Sequence, residues 1–242
     1  MVRSILLKII EVDGVDNISS NISVIIRTRN EERWIGHCIQ SLLDNFNKPE
    51  LIIIDDNSTD ETLNIAKSFE KDTNLDGKDP RYTKVIFENI KNYSPGLSLN
   101  KGVSLATKDI ILIISAHCVI SKINIENTNQ YLDKYASVYG NQIPVYNGKR
   151  INKRYVWSNF ISHSTENFYC DQEQRFFLHN AFAFYKKETL EKFPFDDKLT
   201  TKEDRYWAND IINNKKLKIF YDSQQSVYHH YTVNGATWKG LA

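Results

Sequence analysis

The chain has 242 residues, 41% of them hydrophobic and 25% charged, with nine glycines and five prolines, a profile that excludes fibres, mini-proteins and low-complexity chains. Thirty-one Lys and Arg against 30 Asp and Glu leave a net charge of +1, so no global field draws the protein onto nucleic acid and an anionic ligand must be held by local residues. Cys38, Cys118 and Cys170 lack any C-x-x-C pairing and suit a reducing compartment.

The apolar run at residues 5–10 is broken by Lys8 and lacks a small-residue cleavage pattern, so it reads as an edge strand rather than a signal peptide. No window approaches the roughly 18 apolar residues that a bilayer span needs. Contact with a membrane surface stays open. ISVII at 22–26 has the β-branched composition of a strand buried on both faces of a parallel sheet. Trp34, Ile35, Cys38, Ile39, Leu42, Leu43 and Phe46 then recur at helical spacing, with Asn30 placed as a cap.

LIIID at 51–55 is a second buried strand, and Ser58-x-x-Glu61 has capping-box form for a helix through Leu63, Ala66 and Phe69. A third strand is expected at 84–87. Ser94-Pro95-Gly96 then turns into a helix ending near Ala106, and DIILII at 109–114 makes a fourth strand stopping at Ser115-Ala116-His117. Beyond residue 120 the alternation weakens to a helix near 126–136, a strand near 138–139 and a long polar, aromatic stretch to Phe176. The expected class is α/β, a Rossmann-like, mostly parallel sheet flanked by helices, with an irregular C-terminal half. One domain with two functional lobes is expected, residues 20–118 and 119–242, the second shaping a second substrate's site.

In such sheets ligands sit beyond the carboxyl ends of the strands, where residues 27–30, 55–60 and 115–117 all fall. An Asp there can accept from base or ribose donors, helix-end amides favour phosphate, and Arg27 and Arg29 supply cationic or stacking contacts. The same Asp, Asn and Ser residues equally suit turns and caps.

The two segments ISVIIRTRNEERWIGHCIQSLL and LIIIDDNSTDETLNIA resemble the start of a family 2 glycosyltransferase of the GT-A fold, whose pattern runs SVIIPTYNE and then IIVVDDGSTDxT. The resemblance implies a nucleotide-diphosphate sugar donor, with Arg27, Thr28, Arg29, Glu31 and Asp56 around the nucleotide. It extends to Asn100 and Lys101, in the stretch NKGVSLA, and to Ser115. Arg27 stands where the family usually has Pro or Thr, and Arg29 where it has Tyr. The family's D-x-D carboxylates are replaced by Ser115 and His117, as in a bacterial subgroup with SAH, a later YGxQxP and EDxxWA; Tyr139 to Pro144 fit the second element.

A hard cation on a diphosphate prefers oxygen ligands, which this replacement removes; a divalent ion, Mn or Mg, would then rest on His117 with His229 or His230, and a histidine suits Mn, Zn or Fe better than Mg. A histidine held at a strand end by hydrogen bonds has the same sequence signature. By the same resemblance Asp204, beside Glu203, is the base that deprotonates the acceptor hydroxyl. Gln142, His179, Asn180 and Trp207 fall on the acceptor side, with His179 and Asn180 on the strand leading into FAFYKKETL. The implied reaction is inverting transfer of a hexose or deoxyhexose, rhamnose among them, to a saccharide or lipid-linked saccharide in bacterial surface-glycan synthesis.

Lys149, Arg150, Lys153 and Arg154 are a basic cluster facing solvent or an anionic leaflet. Two other readings compete: a sugar-1-phosphate nucleotidyltransferase, against which RTRNEERW has no glycine before Gly36, and a non-catalytic nucleotide-sugar binder.

Overall fold

The computed structural model describes residues 21–70, 85–150, 160–171, 174–230 and 232. The strand expected at 5–10 and the basic residues Lys153 and Arg154 lie outside them. Strand β1 (Ile22–Thr28) leads to α1 (Ile35–Asn45), β2 (Glu50–Asp55), α2 (Thr62–Lys67), β3 (Val85–Asn89), α3 (Pro95–Leu105) and β4 (Ile110–Ser115). There follow β5 (Cys118–Lys122), α4 (Ile125–Leu132), β6 (Ser137–Tyr146) and the short strands β7 (Lys149–Arg150), β8 (Thr165–Glu166), β9 (Tyr169–Cys170) and β10 (Arg175–Phe176). The last elements are β11 (Phe182–Lys186), α5 (Lys187–Lys192), α6 (Glu203–Asn213) and β12 (Ile219–His230).

The main sheet runs β3-β2-β1-β4-β11-β6-β12-β5. The first four strands are mutually parallel and so are β6 and β12, while β11 enters antiparallel to both β4 and β6. Alternation along β1 sends Val24 and Ile26 into a core with Cys38, Ile39 and Leu42 of α1. Ile25 faces the opposite core, with Leu99 and Val103 of α3 and Trp207, Ala208 and Ile211 of α6. Each such fully buried Val, Leu or Ile side chain contributes about 1.5–3 kcal/mol. The period of two then puts Arg27 on the α6 side and Thr28 on the α1 side. Helix α3 lies so close to β1 that a Cβ on Gly102 would come within 2.6 Å of the Ile25 side chain.

Several local expectations are corrected. Asn30 does not cap α1: its backbone is left-handed at φ 52° and its side-chain oxygen accepts from the Thr59 N–H at 2.7 Å, tying the β1 loop to the β2 loop. The Ser58/Glu61 capping box does not form. Ser58 bonds back to Asp55, and Asp60 accepts from the Thr62 N–H at 3.0 Å instead. Helix α2 ends at Lys67, short of Phe69. Strand β6 covers ten residues rather than two, because it runs between β11 and β12, which satisfy its backbone groups. His179 and Asn180 precede β11 in an irregular segment rather than lying on a strand.

Candidate functional site

Strand β1 ends in Arg27 and Thr28, with Arg27 in register with Ile54 of β2 and Ser115 of β4, so the three strand ends converge. In the loop after β2, Asp55 is spent on the Ser58 N–H and hydroxyl, and Asp60 on Thr62 and the Glu32 N–H. Asp56 is different. Its N–H donates to the Thr28 carbonyl at 3.0 Å and its buried carboxylate meets the Arg29 guanidinium at 2.9 Å. The Arg29 side chain is 64% exposed, so the pair opens toward solvent at the strand ends.

A second group crosses the sheet. The Glu31 carboxylate meets His117 Nδ1 at 3.0 Å, His117 Nε2 faces His229 Nε2 at 2.9 Å, and His229 Nδ1 meets Gln142 Oε1 at 2.7 Å. Four side chains from the β1 loop, the turn after β4, β12 and β6 thus form one hydrogen-bonded line. A single proton between the two Nε2 atoms completes it, its placement set by which end of the Gln142 amide faces His229. Burial, then the neighbouring His117 and His230, hold His229 well below the usual imidazole range. His230 turns the other way: its ring stacks on Trp34 at 3.8 Å, and burial with His117, His37 and Arg33 lowers it to about 4. Of the two C-terminal histidines, His229 is therefore the one that joins His117.

The third group opens α6. Glu203 Oε1 pairs with Arg27 at 3.0 Å, and both side chains are largely buried. Asp204 accepts from the Asn180 N–H at 3.3 Å and lies 3.9 Å from His179 Nδ1. Burial, then the Glu203 carboxylate, push Asp204 up to about 6, against the opposing pull of Arg175 and Arg205. His179 is kept well below its usual value by burial and by Arg175, whose guanidinium reaches His179 Nε2 at 3.3 Å. That contact leaves Nδ1, on the Asp204 side, to carry the ring proton. Tyr185 donates to Asn180 Oδ1 at 2.6 Å and steadies the segment from the sheet side.

Arg27, on the strand whose end carries Thr28, meets Glu203 of the third group. Asp56 and His117 follow the carboxyl ends of β2 and β4, and Asp204 opens α6, whose first turn is tied to β1 through the Glu203–Arg27 pair. Four other expected residues make contacts within the protein. Both ends of the Asn100 amide bond to the Phe195 backbone, Lys101 pairs with Glu88, and Trp207 lies in the core with its Nε1–H on the Phe193 carbonyl. Ser115 holds the end of β4 through its N–H to the Ala181 carbonyl at 3.3 Å. Arg175, Tyr185 and Trp34 take part without having been singled out; only the odd arginine in the aromatic run RFFLH pointed to any of them.

Among the described residues no three His, Cys, Asp or Glu side chains converge as a metal shell. What the site offers is two imidazole nitrogens 2.9 Å apart, each ring's second nitrogen already bonded. That donor chemistry does not suit Mg2+, which requires a near-ideal oxygen shell; it fits two ligands of a borderline ion such as Zn2+ best, and Mn2+, though harder, better than Mg2+.

A model of the family described as Glycosyl transferase family 2 matches residues 23–193. A curated relative, the dolichyl N-acetyl-alpha-D-glucosaminyl phosphate 3-beta-D-2,3-diacetamido-2,3-dideoxy-beta-D-glucuronosyltransferase of Methanococcus voltae, is 34% identical over 104 residues, which is 40% of this chain and 29% of that protein. Among solved structures, S. aureus TarS in complex with UDP-GlcNAc superposes with a TM-score of 0.65 at 19% identity, covering 92% of this chain and 61% of that one. The mannosyltransferase PcManGT from Pyrobaculum calidifontis in complex with GDP-Man and Mn2+ superposes with a TM-score of 0.62 at 15% identity, again over 92% and 61%. The chain thus spans less than two thirds of each of these three proteins, and the two structures share its fold.

Proposed function

The chain belongs to glycosyl transferase family 2, and on that footing we propose that it moves a sugar from a nucleotide-diphosphate sugar to a hydroxyl acceptor, inverting the anomeric carbon. The observation that carries this reading is Asp204: a partly buried carboxylate opening α6, held by the Asn180 and Arg205 N–H groups, pushed up to about 6 and tied through Glu203 and Arg27 to the end of β1. A base with that affinity takes a proton from a hydroxyl at neutral pH more readily than an ordinary carboxylate does.

In the proposed step an Asp204 carboxylate oxygen takes the acceptor hydroxyl proton while the acceptor oxygen forms its bond to the anomeric carbon. The bond from that carbon to the diphosphate oxygen breaks on the opposite face, and the nucleoside diphosphate leaves with the electron pair. Arg29 and Asp56 bind the nucleotide, with Thr28 and Glu31 shaping its loop. Asn180 and Arg205, through their backbone N–H groups, orient the Asp204 carboxylate. His179 and Gln142 border the acceptor side. His117 and His229 would hold a borderline cation, which when bound supplies charge neutralisation for the diphosphate.

The donor sugar is proposed to be a hexose or deoxyhexose, rhamnose included, and the acceptor a saccharide or lipid-linked saccharide of bacterial surface glycans, handled on the cytoplasmic side. The two halves act together as one domain. Support comes from the motifs of the family 2 resemblance and from the family's shared fold. The replacement of two expected carboxylates by Ser115 and His117 favours, as a second reading, a binder without turnover. Calorimetry with UDP-, GDP-, dTDP- and CMP-sugars, with and without Mn2+ and Mg2+, followed by assay of released nucleoside diphosphate, tests both. Binding of one donor with release supports transfer, binding without release of any donor supports the second reading, and binding of none overturns both.

A further inference from the structure

Arg27 departs from the family pattern, and its guanidinium is not directed at the Asp56 loop. It leaves β1 on the α6 face and meets Glu203 at 3.0 Å, across 176 residues of chain, with the carboxylate side chain only 7% exposed. An ion pair this deep is retained at a desolvation cost that a surface pair does not carry, so removing one member leaves an uncompensated buried charge. Here that charge would lie one residue from the candidate base.

We propose that Arg27 is a positioning residue for the transfer step: by holding Glu203 it fixes the first turn of α6 and balances the acid pair, so that Asp204 is the carboxylate left to exchange a proton with the acceptor. This rests on the transferase reading above. The N-terminus of α6 has no side-chain cap, and Lys202 before it is in a left-handed conformation at φ 65°, so the Arg27–Glu203 pair is a side-chain tie from this turn to the sheet. Around Asp204 stand Glu203 and Arg205 on α6, Arg27 on β1, Arg175 on β10, His179 and Asn180 before β11, and Tyr185 on β11; Tyr93, ahead of α3, faces Arg27.

The signs follow from these charges. Without Arg27 the two adjacent carboxylates repel with one less compensating charge, so the pair takes up a proton at higher pH. Without the Glu203 charge, Asp204 takes up its proton at lower pH.

The test is the carboxyl carbon NMR titration of Asp204, assigned by its loss in Asp204→Asn, in wild type, Arg27→Gln, Glu203→Gln and the double variant, alongside the acid limb of kcat/KM. Arg27→Gln is expected to move the signal and the limb up by at least about one pH unit, Glu203→Gln to move both down, and the double variant to fall between, with donor Kd within about threefold of wild type. Arg27→Lys, which keeps the charge, covers the case in which the glutamine variant fails to fold and should restore most of the wild-type limb. An unmoved signal in Arg27→Gln, or an unmoved limb with donor Kd raised tenfold, would overturn the proposal and make Arg27 a nucleotide contact. No turnover in wild type with a carboxyl signal that still shifts would instead remove the transferase reading and leave the Arg27 hold standing.

Discussion

The side-chain amide of Asn100 and the backbone of Phe195 exchange two hydrogen bonds, at 2.8 and 3.0 Å, across 95 residues. Ser94 at the head of the same helix donates to the Asp197 carbonyl at 2.6 Å. Helix α3 thereby clamps the segment that leads into α6, and the positions of Glu203 and Asp204 depend on it. Asn100→Ala is expected to cost about 1–2 kcal/mol of stability. For a chain of this size that lowers Tm by about 2–4 °C per kcal/mol. Calorimetric donor affinity should be retained; a tenfold loss of affinity at unchanged Tm would instead make Asn100 a nucleotide contact.

Asp55 and Asp56 are adjacent but have separate tasks. Asp55 is used by Ser58 inside the turn, whereas Asp56 faces Arg29. Asp56→Ala is expected to weaken binding of the sugar nucleotide by about tenfold or more, near 1.4 kcal/mol. Asp55→Ala should lower Tm instead. Titrations of both variants with the nucleoside diphosphate, paired with thermal melts, check the division.

The imidazole pair predicts a preference among cations. Mn2+ in the presence of nucleoside diphosphate should bind more tightly than Mg2+, and His229→Ala should weaken Mn2+ binding, read by the loss of the free-ion EPR signal. Mg2+ binding as tight as Mn2+, or Mn2+ binding untouched by the substitution, would remove the ion from this pair.

Asp204 also predicts how stability varies with pH. Its folded value of about 6 lies above its ordinary 3.8, so the stability it contributes is full below about pH 4 and is lost as pH rises through 6. Asp204→Asn does not titrate, so the variant should melt higher than wild type at pH 7.5, and the gap should shrink toward pH 4. Melts of the two proteins across that range check the sign.

Much of the first half was readable because β1, β2 and β4 are runs of Ile, Leu and Val that only a sheet covered on both faces buries. The strand ends then located Arg29, Asp56 and His117 without further information. The caps were misassigned because Asn30, Ser58 and Asp60 each have several backbone donors within reach, and which one they choose depends on the facing loop. His229 could not be told from His230 because β12 carries a register shift between Asp222 and Ser226 that breaks any count along the strand. The Arg27–Glu203 pair was also hidden, although the alternation after Ile25 already places Arg27 on the α6 face. Its partner lies too far along the chain for spacing to reveal.

The most direct measurement is turnover of the preferred sugar nucleotide by wild type and Asp204→Asn at pH 7.5, with donor affinity measured on the same samples. The expected result is a fall in kcat of about 10²–10⁴ with donor Kd nearly unchanged. Comparable turnover by the two proteins would contradict a role for Asp204 as the base.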